Sequence, residues 1–407
     1  MKKNIFIVKT SLVLLGLFSS ASYAQNYYVC NNGTDRNSGL SPYEPWATFD
    51  YAMSKFGTLN AGDAILFCRG GTFTSSYPRL SNSRCAADAP CTIADYIPAD
   101  MTSGSVELPV ITSSGASGVF NFQDGGNADH DEGYVIKNLS LKGKGAGFGI
   151  FLFNDVDFVS VNGVIIDSFG VGMYSAGANA ANLGANQVNE NIELKNSQII
   201  NNTTQGWLGG CNDCVIDNNK FTNNGFSKKI LNHNIYISGS NNSGITISNN
   251  TLTKSAFVDG KCAGVSLVVH GVVKDLTIKD NTVFEDIGAA EQTCWGISVD
   301  PGYATEESFS NVVISGNKIT NVGNVGIGCA SCTDLQILNN TITHVQDFGF
   351  TAVRVPVRTE DRVKSNRIEV TGNNIDLLDP NNKRKQGIIL PTVGDVNTGI
   401  NEIFISK

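Results

Sequence analysis

The stretch ISNNTL, Ile247–Leu252, sets two apolar residues five positions apart around a pair of asparagines. Near-copies recur as IDNNKF from Ile216, IKDNTV from Ile278, ISGNKI from Ile314, ILNNTI from Ile337 and VTGNNI from Val370. The spacing suits no regular element. On a straight strand, residues five apart face opposite sides. On a helix, five steps of about 100° leave them roughly 140° apart. Asn is also a poor helix-interior residue and is scarce in strands. A bend between the apolar residues removes the conflict. Asn enters the left-handed region more readily than other residues with a side chain. One Asn can therefore turn a corner between two short strands and let both apolar flanks face inward.

With the fourth position of I-x-N-N-x-I as an anchor, the template falls at Leu139, Asn162, Ser197, Asn219, Asn250, Asn281, Asn317, Asn340 and Asn373, at intervals of 22 to 36 residues. Irregular periods of this size suit a solenoid whose coils share a constant core and carry insertions on one side. In successive coils the Asn side chains can stack and hydrogen-bond as a ladder. This pattern, with β-branched alternation and 43 Gly, resembles the right-handed parallel β-helix of the pectate-lyase-like superfamily, from about Tyr134 to Asp379. The segment YYVCNNGTDRNSGLSPYEPWATFDYAMS, followed by AGDAILFCRGGTF, resembles the opening of secreted β-helix polysaccharide lyases. There a strand, a short helix and another strand cap the first coil. Phe49, Ala52, Met53 and Phe56 have the i, i+3, i+4, i+7 spacing of that helix. A cap covers an otherwise unpaired sheet edge. The expected fold is all-β, a right-handed parallel β-helix with a short N-terminal capping helix. Its divisions are a leader at 1–24, the cap and first coils at 25–133, coils with an Asn corner ladder at 134–379, and a last coil or cap at 380–407.

The leader reads as a signal peptide: a basic MKK start, the apolar run Ser11–Phe18, and SYA at Ser22–Ala24 before cleavage. Its apolar run is too short to span a bilayer. A secreted or periplasmic chain is expected, and its ten Cys become disulfide candidates: Cys30, Cys68, Cys85, Cys91, Cys211, Cys214, Cys262, Cys294, Cys329 and Cys332. CNDC (Cys211–Cys214) and CASC (Cys329–Cys332) have redox or zinc spacing, but neither opens a helix after a strand or adjoins a His. Short-loop disulfides at coil corners fit them better. Cys30 departs from the lyase-like opening and, with Cys68, can tie the two capping strands together.

The formal net charge is −8, and loss of the leader with Lys2, Lys3 and Lys9 makes it three units more negative. Such a surface repels nucleic acid, and no basic patch with interleaved aromatics appears. An acidic polymer would need positive groups gathered locally against that field.

Stacked coils turn sequence alignment into spatial columns. CAGVSLVVHG (Cys262–Gly271) and CWGISVDPGY (Cys294–Tyr303) align without a gap, and HNIYISGS (His233–Ser240) fits one coil earlier. This register sets Ile235, Val265 and Ile297 inside, and Tyr236, Ser266 and Ser298 outside. The next outward row reads Ser238, Val268, Asp300, with His270 at the same parity. Cys262 and Cys294 come level in adjacent coils, about 4.8 Å apart, within disulfide reach. The outer face of these strands is the expected working face. Its candidate catalytic residues are His270, His233, Tyr236, Lys261 and Asp300. Its candidate substrate-binding residues are Lys228, Lys229, Asp259, Trp207 and Trp295. Trp and Tyr commonly stack on sugars, and long loops on one side of a rigid scaffold build clefts. Each residue also has a structural alternative. His233 can bond backbone at a strand start, Asp300 can begin a turn before Pro301-Gly302, and Lys228 and Lys229 can simply be solvated. Trp295 can point inward, and Arg354, Arg358, Glu360, Asp361 and Arg362 read as a solvated late insertion.

Three function classes remain. Eliminative cleavage of an acidic polysaccharide needs a cation at the uronate carboxyl, a base for the C5 proton and an acid for the leaving oxygen. His, Tyr and Lys supply those types. Calcium is compatible with this class, although neither the calcium-dependent pectate-lyase signature nor a DPHD-type epimerase motif is present; no metal ligands and no cofactor are assigned. Uronate C5-epimerisation shares the first step. Hydrolysis needs two carboxyls at set separation, for which Asp259, Glu291 and Asp300 are the candidates. A non-enzymatic carbohydrate-binding or surface-interaction β-helix is the third class. The expected reading is a polysaccharide lyase, monomeric, with an acidic polysaccharide as partner, no nucleic acid and no membrane span.

Overall fold

The computed structural model describes residues 24–99, 107–123, 132–153, 155–177, 188–302, 306–392 and 394–407. The leader, His130 and positions 303–305 of the DPGYATEESFS insertion lie outside the described residues. Three parallel sheets of 13, 12 and 11 strands run the length of the chain. A representative coil passes from Val215–Asp217 in the first sheet to Lys220–Thr222 in the second and His233–Ile237 in the third. It then returns to the first sheet as Asn242–Ser248. The result is a right-handed parallel β-helix, the hand expected of parallel crossovers. No helix among the described residues is long and apolar enough to cross a membrane.

The Asn pair divides two tasks between its members. The third template residue takes the left-handed seat: Asn196, Asn218, Asn249, Asp280 and Asn339 have φ of 51–56°. The fourth lies buried and forms the ladder. Nδ2 of Asn219 donates to Oδ1 of Asn250 at 3.0 Å, and the same bond recurs through Asn281, Asn317, Asn340 and Asn373 to Asn401. The second Asn therefore fastens the corner that the first one turns. At Asn162 the expected anchor is corrected by two residues. Gly163 holds the left-handed seat with φ of 65°. Ile165 pairs with Gln198, which puts Val164 level with Ser197. Matching Asn by identity placed the anchor outside the corner.

At the N-terminal end the helix Phe49–Phe56 starts at Thr48, whose side chain accepts from the Tyr51 N–H. It buries Phe49, Ala52, Met53 and Phe56 over the first coil. Phe49 meets Phe67 and Phe120, and Phe56 meets Phe122 and Tyr134, with ring centroids 5.2–5.8 Å apart. All ten Cys pair: Cys30–Cys68, Cys85–Cys91, Cys211–Cys214, Cys262–Cys294 and Cys329–Cys332. CNDC and CASC are thus short-loop bridges, and Glu285 beside Cys262 and Cys294 faces disulfide sulfurs rather than thiolates able to hold a metal.

Two buried acids give the fold a pH dependence. Burial pushes the Glu285 carboxyl up to about 8, although it accepts the Lys254 N–H at 2.6 Å. Burial does the same to Asp157, which accepts the Glu190 N–H at 2.7 Å. A carboxyl raised above its unfolded value contributes stability that is full below about pH 4 and lost as pH rises through about 8. Buried His233 and His344, whose pKa burial lowers to about 3, act oppositely and gain stability as pH rises to about 6.5. Denaturant midpoints should therefore change little from about pH 4 to 6.5 and fall from about 6.5 to 8. Glu285→Gln should remove part of that slope, Asp157 retaining the rest.

Candidate active site

Register fixes the outward row of the third sheet. Leu208, Tyr236, Val268, Ser298, Gly328 and Arg354 stand level in successive coils. Ile235 pairs with Leu267, not Val265, and Leu267 pairs with Ile297. The gapless alignment is therefore off by two residues in the middle coil. Its cause is local: four residues separate Cys262 from Leu267, against two between Cys294 and Ile297, so the coils differ in length between the disulfide and the strand. A slip of two preserves parity but changes rows, so Val268 rather than Ser266 stands level with Tyr236 and Ser298, and the row beyond the strands reads Ser238, His270, Asp300. The His270 N–H bonds to Ile237 O at 3.0 Å, and the Asp300 N–H to Val269 O at 3.2 Å.

His270 is held on three sides. Its Nδ1 lies 2.5 Å from the Asp300 backbone oxygen. A carbonyl can only accept, so Nδ1 carries the proton, and in the neutral ring the lone pair lies on Nε2. Tyr236 meets the ring edge-on, centroids 5.5 Å apart. Gly302 lies against its face, where an added Cβ would come within 2.5–2.6 Å of three ring atoms. The DPG turn therefore supplies a seat for the imidazole as well as a bend.

Asp300 accepts from Ser298 Oγ at 2.9 Å, lies 3.9 Å from His270 Nδ1, and has Arg358 Nη1 3.7 Å away. Burial raises its carboxyl above the usual carboxylate range, against the pull of His270, Ser298 and Arg358. Arg358 itself bonds Pro301 O at 3.2 Å and sits 3.2 Å from both Glu360 and buried Asp361. The late insertion is thus a correction to the solvated-loop reading, because it folds back to place a guanidinium at Asp300.

Two adjoining clefts share Trp295, Ser298 and Asp300. One, of about 270 Å³, adds His233, Val268, His270, Thr293 and Gly302. The other, of about 150 Å³, adds Gly328, Arg354, Pro356 and Arg358. Trp295 is half-buried and faces outward into both. Trp207 is fully buried, its Nε1 donating to Gly209 O at 3.0 Å. It is core rather than a sugar platform, because its strand position pairs with inward Ile235. His233 is also buried, with Nδ1 3.2 Å from Val265 O, and burial lowers its pKa to about 3. Burial thus favours the neutral ring, which forms part of the cleft wall. Lys229 bridges Asp259 at 3.4 Å and Glu291 at 2.8 Å. Lys228 and Lys261 are exposed, and neither lines a cleft. The structure therefore gathers His270, Asp300, Tyr236 and Trp295, adds Arg354 and Arg358, and leaves the four lysine-side candidates outside.

No protein-family model matches the chain. A segment of 157 residues, 38% of the chain, is 27% identical to the lacto-N-biosidase of Bifidobacterium longum subsp. longum and spans only 9% of that enzyme. Among solved structures, the GH136 lacto-N-biosidase of Eubacterium ramulus superposes with a TM-score of 0.56 at 12% identity, over 94% of this chain and 68% of that one. Pectate lyase Pel9A superposes with a TM-score of 0.50 at 14% identity, over 94% and 80%. At these identities the likeness is one of fold. The protein is a right-handed parallel β-helix, the fold it shares with these solved structures.

Proposed function

We propose that the protein is a polysaccharide lyase that cleaves a uronate-containing chain by β-elimination outside the cytoplasm. The observation that carries this reading is the His270–Asp300 pair beside Arg354 and Arg358. Nε2 of His270 takes the C5 proton, and the C5–H electrons form the C4=C5 bond. The C4–O bond breaks, and its oxygen leaves with the proton of the Asp300 carboxyl, which burial favours in its protonated form. Arg354, exposed and without an ion pair among the described residues, neutralises the uronate carboxylate and so acidifies C5. The five disulfides suit an oxidising compartment.

Hydrolysis is the second reading, favoured by the segment shared with a lacto-N-biosidase. It calls for a second carboxyl within about 5–9.5 Å, whereas Asp300 is the one carboxylate among the described residues lining either cleft. Incubation with a panel of uronate polymers separates the readings. Ultraviolet absorbance from the unsaturated product is the expected result. Reducing ends without absorbance would mean hydrolysis, and a changed proton spectrum without either would mean epimerisation.

The seat of His270 gives a second test. Gly302→Ala should push the ring off its position and lower kcat by about 10- to 100-fold. The thermal midpoint should stay near that of the parent, as no core volume changes. An unchanged kcat would show that the ring position does not matter to turnover.

A further inference from the structure

The two sides of His270 differ in charge. On the side of the later coils lie Arg354 and Arg358. On the side of the earlier coils a third cleft, of about 250 Å³, is lined by Tyr174, Gly209, Gly210, Ser238, Asn241 and Asn242 among others, none of them charged. Ser238, which lines this cleft, stands one coil before His270, which lines the next, so the clefts follow one another along the same face.

Glycine makes this part of the groove a trough. A Cβ at Gly209 would collide with Ser175 O, and one at Gly271 with Gly239 O, because the turns of successive coils lie directly on each other. Above that floor stand a half-buried Tyr ring, exposed Asn241, and Asn242, whose Nδ2 donates to Ser238 O at 3.2 Å. An aromatic face with amide and hydroxyl groups suits the apolar face and rim hydroxyls of an uncharged sugar. Such a wall offers a carboxylate no cation to offset its desolvation.

We infer that the groove is built for a mixed polymer, taking an uncharged sugar over Tyr174 and an acidic sugar over Arg354, with the reacting bond at His270 between them. This inference rests on the lyase reading for the position of the bond, but the charge asymmetry can be read by binding alone. The probe is catalytically disabled His270→Ala protein on an array of three glycan sets: all-uronate, all-uncharged, and mixed glycans in which a uronate adjoins an uncharged sugar. The mixed set should bind most strongly, by about 10-fold. Tyr174→Ala, in the same background, should bring it down to the all-uronate level. Arg354→Ala should bring it down to the all-uncharged level. Strongest binding to all-uronate glycans, equal binding to all three sets or to none, or indifference to Tyr174→Ala would overturn the inference. Absence of unsaturated product in the turnover assay would overturn the lyase reading while leaving a mixed-glycan preference standing.

Discussion

Replacing His270 with Ala should cut turnover by about 10²-fold or more, the usual scale for a positioned general base. The side chain is 15% exposed and fills no core volume. Its structural contribution includes a hydrogen bond to the Asp300 carbonyl, worth about 1 kcal/mol. His270→Asn sharpens the test, since its side-chain amide can still donate to that carbonyl but provides no basic nitrogen. Stability should return toward the parent value and turnover should not. Rates on a cleaved polymer and denaturant midpoints for both variants check this. Near-normal rates, or a large stability loss in both, would make His270 structural and move the chemistry elsewhere in the groove.

The solenoid was legible because its corner is chemically demanding. A left-handed residue followed by a buried side chain that must both donate and accept leaves a short list of residue types, and the list repeats. Inward parity was legible for the same reason: Ile235, Leu267, Ile297 and Ile327 form one apolar row. Row assignment was less so. Cys262 and Cys294 do bridge adjacent coils, with Cα atoms 5.4 Å apart. They sit in loops of different length, however, so aligning on them displaced Val265 into the seat of Leu267. That slip hid the pairing of His270 with Asp300. Arg358 was hidden for another reason. It lies in an insertion after the strand Thr351–Arg354, two coils beyond the Asp300 coil, and the reach of a loop across coils has no periodic signal. Asp361 offered one hint, being an acid in a charged run that ends up buried against the arginine it positions.

Asn281→Ala should destabilise the protein by about 3–5 kcal/mol, because each buried group left without a partner costs about 1–3 kcal/mol. Oδ1 of Asn281 accepts both the backbone N–H and Nδ2 of Asn250, each at 3.0 Å. Its Nδ2 donates to Ile247 O at 2.9 Å and to Asn317 Oδ1 at 3.0 Å. Truncation opens all four bonds inside a corner that is closed to water on either side by its neighbours in the ladder. Position within the stack decides the size of the effect. Nearer the N-terminus the same seat is filled by Leu139 and Val164, and the Val164 N–H is met by Ser197 Oγ at 3.1 Å, so an apolar residue is tolerated where the ladder starts. The residue beside Asn281 provides the contrast. Asp280 holds φ at 56°, and Asp280→Ala should cost about 1–2 kcal/mol for left-handed backbone alone. Asp280→Gly should recover that cost, whereas no substitution at Asn281 restores four hydrogen bonds. Denaturant titrations of the three variants check the order. A loss at Asn281 no larger than that at Asp280 would mean that backbone conformation, rather than the side-chain ladder, holds the coils in register.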